Sequence, residues 1–157
     1  MKTYRLQFEH KLPVPLAETW DFFTSPLNLV KITPPAMGFE VTSPYDAKSK
    51  LYEGMIITYK IKPLPGIKMN WVTEITNVKE QQYFVDEQRL GPYALWHHEH
   101  HFKEIDGGVH MTDILNYAMP YGIIGRLGNL LLVRREILKI FAYRKTAING
   151  LFGTYRR

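Results

Sequence analysis

The side chains best equipped for chemistry crowd into one stretch, Ala94 to Tyr117, ALWHHEHHFKEIDGGVHMTDILNY. Five of the chain's six histidines lie there: His97, His98, His100, His101 and His110. Imidazole titrates near neutral pH, binds transition metals and shuttles protons, so each of these chemistries is open to the stretch. Side chains on a strand alternate between faces. That puts Trp96, His98, His100 and Phe102 on one face and His97, Glu99 and His101 on the other. Trp and Phe bracket the first set, so that face is expected to point inward and the second set to meet solvent.

Asp106-Gly107 reads as a two-residue hairpin turn, with a strand over 94–105 before it and another over 109–118 after it. Such a turn pairs Phe102 with Met111, His100 with Asp113, His98 with Leu115 and Trp96 with Tyr117. A three-residue DGG loop with a bulge would shift that pairing. A carboxylate at Asp113 would fix the tautomer of His100 and raise its pKa, as in a general base and its orienter.

Three readings compete for His98, His100 and Asp113. They are a satisfied polar group inside a cavity, recognition of a ligand head group, or a catalytic His100–Asp113 dyad. No Ser or Cys stands in a nucleophile-elbow pattern, so only base chemistry of a cyclase or dehydratase type would remain. H-x-H on a strand plus Asp113 could also ligate zinc, and the outer trio could catch zinc adventitiously. Solvated outer histidines are the default, and we expect no metal and no cofactor.

The elements that must hold these residues follow from periodicity. At 157 residues the chain is expected to be one domain, 1–157, with 13% aromatic residues to fill a core or wall a pocket. No apolar run approaches a membrane span and the start alternates polar and apolar, so a soluble cytoplasmic protein is expected. Cysteine is absent, which excludes disulfides and thiolate metal sites.

Residues 3–11 alternate as a strand. LPVPLAETWDFFTSP reads as a short helix with Pro15 in its first turn, and PLNLVKITPP as a second one stopped by Pro34-Pro35. GFEVTSP, GMIITYKIK, IKMNWVTEITNV and QYFVDEQ read as strands, with PLPG as a turn between the second and third. Asp86 and Gln88 share a face with Phe84, which would make that face polar if it is the inner one; Val85 argues the opposite.

Tyr121 to Asn149 reads as one long helix with Gly150 as its cap and a stripe of Leu127, Leu131, Leu138, Phe141 and Ile148. Gly122, Gly125 and Gly128 weaken its first turns by about 1 kcal/mol each relative to Ala, inviting a bend or a mobile entrance. Arg134 falls near the stripe, where it could meet a ligand carboxylate or snorkel to the helix edge. Residues 119–157 carry eight Lys/Arg against one acid, a net +7, while the first 118 are at −2. A basic helix can meet nucleic acid or an anionic membrane, but the interleaved aromatics of a base-stacking platform are missing. We expect no nucleic-acid partner, leave membrane contact open, and expect a monomer or weak homodimer.

This element order, with GPYALWHHEHHF, DGGVHMTDILNYAMPYG and GRLGNLLLVRREILKIFAYRKTAI, resembles the START-like or birch-allergen-like superfamily, SRPBCC. More narrowly it resembles a bacterial SRPBCC group without an established reaction, some members of which carry a cell division inhibitor label. The shared positions are Trp96, His98, His100, Phe102, Thr112, Asp113, Tyr117, Pro120, Gly122, Ile140, Phe141, Tyr143 and Arg144. The resemblance implies an α+β helix-grip fold, a curved antiparallel seven-stranded sheet wrapped around a long C-terminal helix. It also implies a hydrophobic ligand such as a lipid, quinone or polyketide.

The expected site therefore combines Trp96, His98, His100 and Asp113 as a polar end with Tyr59, Trp71, Tyr117 and Phe141 as wall, plain core packing being the alternative for each wall residue. The chain is read as a binder of a small or medium hydrophobic ligand more than as an enzyme. The alternative is a cyclase or dehydratase using His100 and Asp113.

Overall fold

The computed structural model describes residues 1–64 and 67–156; the turn expected at PLPG reaches outside them at 65–66. Seven strands form one antiparallel sheet: β1 (Thr3–Leu12), β2 (Glu40–Val41), β3 (Ile56–Leu64), β4 (Ile67–Lys79), β5 (Tyr83–Leu90), β6 (Leu95–Ile105) and β7 (Gly108–Ala118). Their spatial order is β1-β7-β6-β5-β4-β3-β2, so β2 to β7 form a meander and β1 closes onto the last strand. Period-two alternation puts Ile57, Tyr59 and Ile61 of β3, and Trp71 and Ile75 of β4, into the core. Register shifts in the β4–β5 pairing, between Val72 and Thr73 and between Ile75 and Asn77, add local twist and bend to the sheet.

After β1 the chain turns through α1 (Leu16–Phe23), for which Pro15 is the cap residue rather than part of the first turn. The second short helix is 3-10 in form, Pro26–Ile32, and a further 3-10 turn spans Pro35–Met37. Proline at the start of both fits, since its missing N–H would lie among the unsatisfied donors there.

The C-terminal helix runs without a break through α2 (Gly122–Gly128), a π-helical segment (Asn129–Val133) and α3 (Arg134–Phe152). It is 31 residues long, roughly 45 Å, and ends at Gly153 (φ 87°) rather than at Gly150. Its buried residues are Gly125, Asn129, Ile137, Phe141, Arg144 and Ile148. Of the expected stripe, Phe141 and Ile148 are buried, while Leu127, Leu131 and Leu138 are exposed. The extra residue of a π turn rotates the preceding turns by about 100° relative to the following ones, which breaks the phase of a regular helix. Among the described residues, no helix is long and apolar enough to cross a membrane.

Among the described residues, three buried clusters hold the layers together. Leu12, Trp20, Phe102, Met111 and Ile148 join α1 to the sheet and the end of α3. Leu6, Leu115, Tyr117, Ile137 and Phe141 seat α3 on β1 and β7, where the rings of Phe8 and Phe141 stack at 3.8 Å. Met55, Ile57, Tyr59, Trp71 and Ile75 fill the far strands.

Candidate functional site

β6 and β7 pair as a two-residue turn requires: Trp96 with Tyr117, His98 with Leu115, His100 with Asp113 and Phe102 with Met111. Gly107 takes the left-handed conformation in that turn, φ 74°, which a residue without Cβ adopts at little cost. His98, His100 and Asp113 are all buried. His97, Glu99 and His101 sit on the outer face, where His97 Nδ1 lies 2.7 Å from Glu87 and His101 Nε2 2.8 Å from Glu99. Arg89 extends this outer ladder by pairing with Glu74 and Glu87.

β5 brings in a carboxylate between the two inner histidines. Asp86 stands opposite His98 in the β5–β6 register. Its Oδ2 is hydrogen-bonded to His100 Nε2 at 2.9 Å and lies 3.4 Å from His98 Nδ1. The other nitrogens of both rings face Asp113 Oδ1, at 2.7 Å from His100 Nδ1 and 3.3 Å from His98 Nε2. These two contacts are out of line for hydrogen bonds, so they are electrostatic. His100 and Asp113 thus stand side by side, as their pairing requires, within a larger set of two imidazoles between two carboxylates, in which Asp86 makes the aligned bond. Phe84 stacks on His100 at 4.2 Å and fixes its plane.

Arg144 of α3 completes the cluster. Its guanidinium lies 5.0 Å above the Phe141 ring, and Nη1 is 4.0 Å from Asp113 Oδ1. Burial works against the charge of His98, but the Asp113 and Asp86 carboxylates outweigh it and raise its pKa to about 9. Burial likewise opposes ionisation of Asp86 and Asp113, yet the flanking imidazoles hold both well below the usual carboxylate range. His98 and Arg144 thus set positive charge against the two carboxylates, which makes burial of those carboxylates tolerable.

A pocket of about 270 Å3 opens between the sheet, the 3-10 helices and α3. Tyr59, Trp71, Trp96 and Phe141 line it, with Asp86, His98 and His100 at a polar end. Trp71 donates its indole N–H to Thr73 Oγ1 at 3.0 Å, and burial pushes the Tyr59 phenol above its ordinary pKa. Trp96 meets Trp71 edge-on at 5.2 Å and Tyr93 at 4.7 Å. Gln88 positions Tyr93 through two bonds to its backbone, at 2.8 and 3.2 Å.

Two of the expected site residues lie outside that wall. Asp113 sits behind the histidines. Tyr117 is fully buried, and its hydroxyl donates to Asn129 Oδ1 at 2.8 Å in the π segment. Arg134 is exposed, as snorkelling predicts.

No protein-family model matches the chain, and no curated protein does. Solved structures do. Protein CV1439 from Chromobacterium violaceum is 11% identical with a TM-score of 0.70, over 96% of this chain and 99% of that one. Protein Ms6760 from Mycobacterium smegmatis is 20% identical with a TM-score of 0.67, over 94% of this chain and 89% of that one. The major latex-like protein 151 from Panax ginseng is 13% identical with a TM-score of 0.66, over 96% and 97%. The fold is the SRPBCC, or birch-allergen-like, helix-grip fold. In this fold the C-terminal helix packs over the sheet, which brings Arg144 to within 4.0 Å of Asp113.

Arg144 is the member of the cluster to which sequence reasoning assigned no role, while Asp86 was expected to make its face polar if that face is the inner one, as it is. The signal for Asp86 was its alternation with Phe84; Val85 masked it, because Val85 is also buried, at 6% exposure. Arg144 follows Phe141 by three residues and so shares its helix face.

Proposed function

We propose that the protein binds a small hydrophobic ligand in this pocket, with the ligand's polar end against Asp86, His98 and His100. The observation that carries the reading is the pocket's make-up: aromatic and aliphatic walls with titratable groups gathered at one end. Such an arrangement orients a mostly apolar ligand with a few polar contacts. Its volume, about 270 Å3, lies just under the range of roughly 300–1,000 Å3 usual for such sites, and favours a small ligand. Burial of apolar surface, worth about 25 cal/mol per Å2 before ordering costs, would drive binding.

Trp71 and Trp96 line the pocket and Trp20 does not, so intrinsic fluorescence reports occupancy. Native mass spectrometry of freshly purified protein should show an organic adduct, and adding that compound should quench fluorescence saturably, less so in Trp96→Phe. A bare mass, together with no saturable quenching by fatty acids, quinones or aromatic polyketides, would refute the reading.

A second reading rests on a different surface. Tyr121, Ile123, Ile124, Leu127, Leu130 and Leu131 expose between 54% and 82% of their area along the first half of the C-terminal helix. Arg126, Arg134 and Arg135 flank them, and residues 119–135 contain no acid. Apolar side chains interleaved with arginine complement an anionic bilayer surface. Wild-type protein should sediment with vesicles of anionic phospholipid and dissociate as salt is raised. Leu130→Asp combined with Leu131→Asp should abolish sedimentation. Binding that survives this double substitution would exclude the patch as the contact.

A further inference from the structure

The histidine pair gains a different meaning from Asp86. H-x-H on β6 offers two nitrogens on one face, and two ligands do not make a metal site. Asp113, the third ligand foreseen in the sequence, stands on the wrong side for one. Arg144 Nη1 is 4.0 Å from its Oδ1 and meets its charge there. The other side is differently built. Asp86, His98 and His100 belong to neighbouring positions of two paired strands, and one ligand atom from each lies within 4.8 Å of the others. Asp86 Oδ2 is 2.9 Å from His100 Nε2 and 3.4 Å from His98 Nδ1. A tetrahedral or octahedral ion with bonds of about 2.0–2.2 Å sets neighbouring ligand atoms roughly 2.8–3.6 Å apart.

The opposite ring nitrogens point to the same use. A metal-bound histidine commonly hands its second N–H to a carboxylate, which orients the ring. Asp113 Oδ1 lies within 3.3 Å of His98 Nε2 and 2.7 Å of His100 Nδ1, so one carboxylate serves both rings. All three atoms are buried without an aligned hydrogen-bond partner, and small ring rotations toward a shared ion on the Asp86 side would let them align. Asp86, His98 and His100 border the pocket while Asp113 does not, so the remaining coordination positions would open into the cavity. Two imidazoles and a carboxylate without thiolate suit a divalent first-row transition ion.

We infer that Asp86, His98 and His100 form a three-ligand site for a divalent transition-metal ion, open to the pocket, with Asp113 as the shared outer acceptor. The inference stands on the cluster and is independent of the apolar-ligand reading.

The test is titration of the chelator-stripped full chain with Co2+ alone near neutral pH, followed by calorimetry and visible absorption. The competing outer histidines are controlled by a His97→Ala/His101→Ala variant. One ion per chain with visible ligand-field bands is expected in the wild type and in that variant. Binding should weaken by more than about 100-fold in Asp86→Asn and in His98→Gln, and by about 10–100-fold in Asp113→Asn. Two substitutions at the ligands keep the outcome readable should either fail to fold.

Less than one ion per chain in the wild type would overturn the site. So would unchanged affinity in a folded Asp86→Asn or His98→Gln variant, or binding lost with the outer histidines. Tryptophan quenching by an apolar ligand in metal-free protein would then leave the pocket reading standing by itself.

Discussion

His98 shows how two residues on neighbouring strands reset the chemistry of one. An imidazole this deeply buried would lose its proton if it were alone; between Asp86 and Asp113 it keeps it to about pH 9. The folded state therefore binds that proton more tightly than the unfolded chain, whose ordinary value is 6.5. Below pH 6.5 both states hold the proton and the stabilisation is complete; from 6.5 to 9 only the folded state does, so stability falls as pH rises. The two carboxylates act in the opposite direction, their contribution being present above the ordinary value of 3.8 and lost as pH falls below it. In chelator, urea midpoints should drop across the upper window by an amount equivalent to at most about 3 kcal/mol. His98→Gln should flatten that drop. A wild-type profile already flat between neutral and alkaline pH would contradict a protonated His98.

At the scale of the element, the C-terminal helix departs most from what periodicity suggests. Leu130 and Leu131 look like core residues by type yet are each 76% exposed, whereas Ile137 is 2% exposed. Ile137→Ala should cost about 2–5 kcal/mol in denaturant melts and Leu130→Ala less than about 0.5 kcal/mol. Equal costs would mean that the helix sits in another rotation. Gly125 makes a second check on the same seating: a Cβ there would run into the Pro120 carbonyl oxygen. Gly125→Ala should therefore destabilise, although alanine is the better helix former on an unconstrained helix by about 1 kcal/mol. The glycine-rich start is thus in part a close-packed contact at Gly125 and a left-handed backbone at Gly122 (φ 55°), and the expectation that it simply loosens the helix applies to Gly128, where a Cβ would meet nothing.

For the molecule as a whole, a sheet of seven strands gripping one helix leaves a volume that its own side chains do not fill. A ligand that binds only the folded state stabilises it by mass action, about 2.7 kcal/mol at a hundredfold excess over Kd. For a chain of this size that corresponds to roughly 5–11 °C in melting temperature. The shift should grow with ligand concentration and shrink when Ile57→Phe narrows the wall. A compound that quenches tryptophan fluorescence without moving the melting point would not be binding the folded state selectively.

The amino-acid sequence determined a good deal by itself. Period-two alternation assigned the inner and outer histidines, and Asp106-Gly107 offered the β6–β7 register that the structure adopts, with a bulged DGG loop as the alternative. These are local properties, decided by alternation and a turn within a few residues. The partners of those histidines were not legible in the same way. Asp86 reaches them through strand pairing, and its alternation was obscured by a valine buried on the other face. Arg144 reaches Asp113 from a helix more than thirty residues away in the chain. The helix phase depended on a single π turn, which no 3.6-residue period anticipates. Only the tertiary structure decided which charges meet, because that depends on how three strands and one helix are seated together.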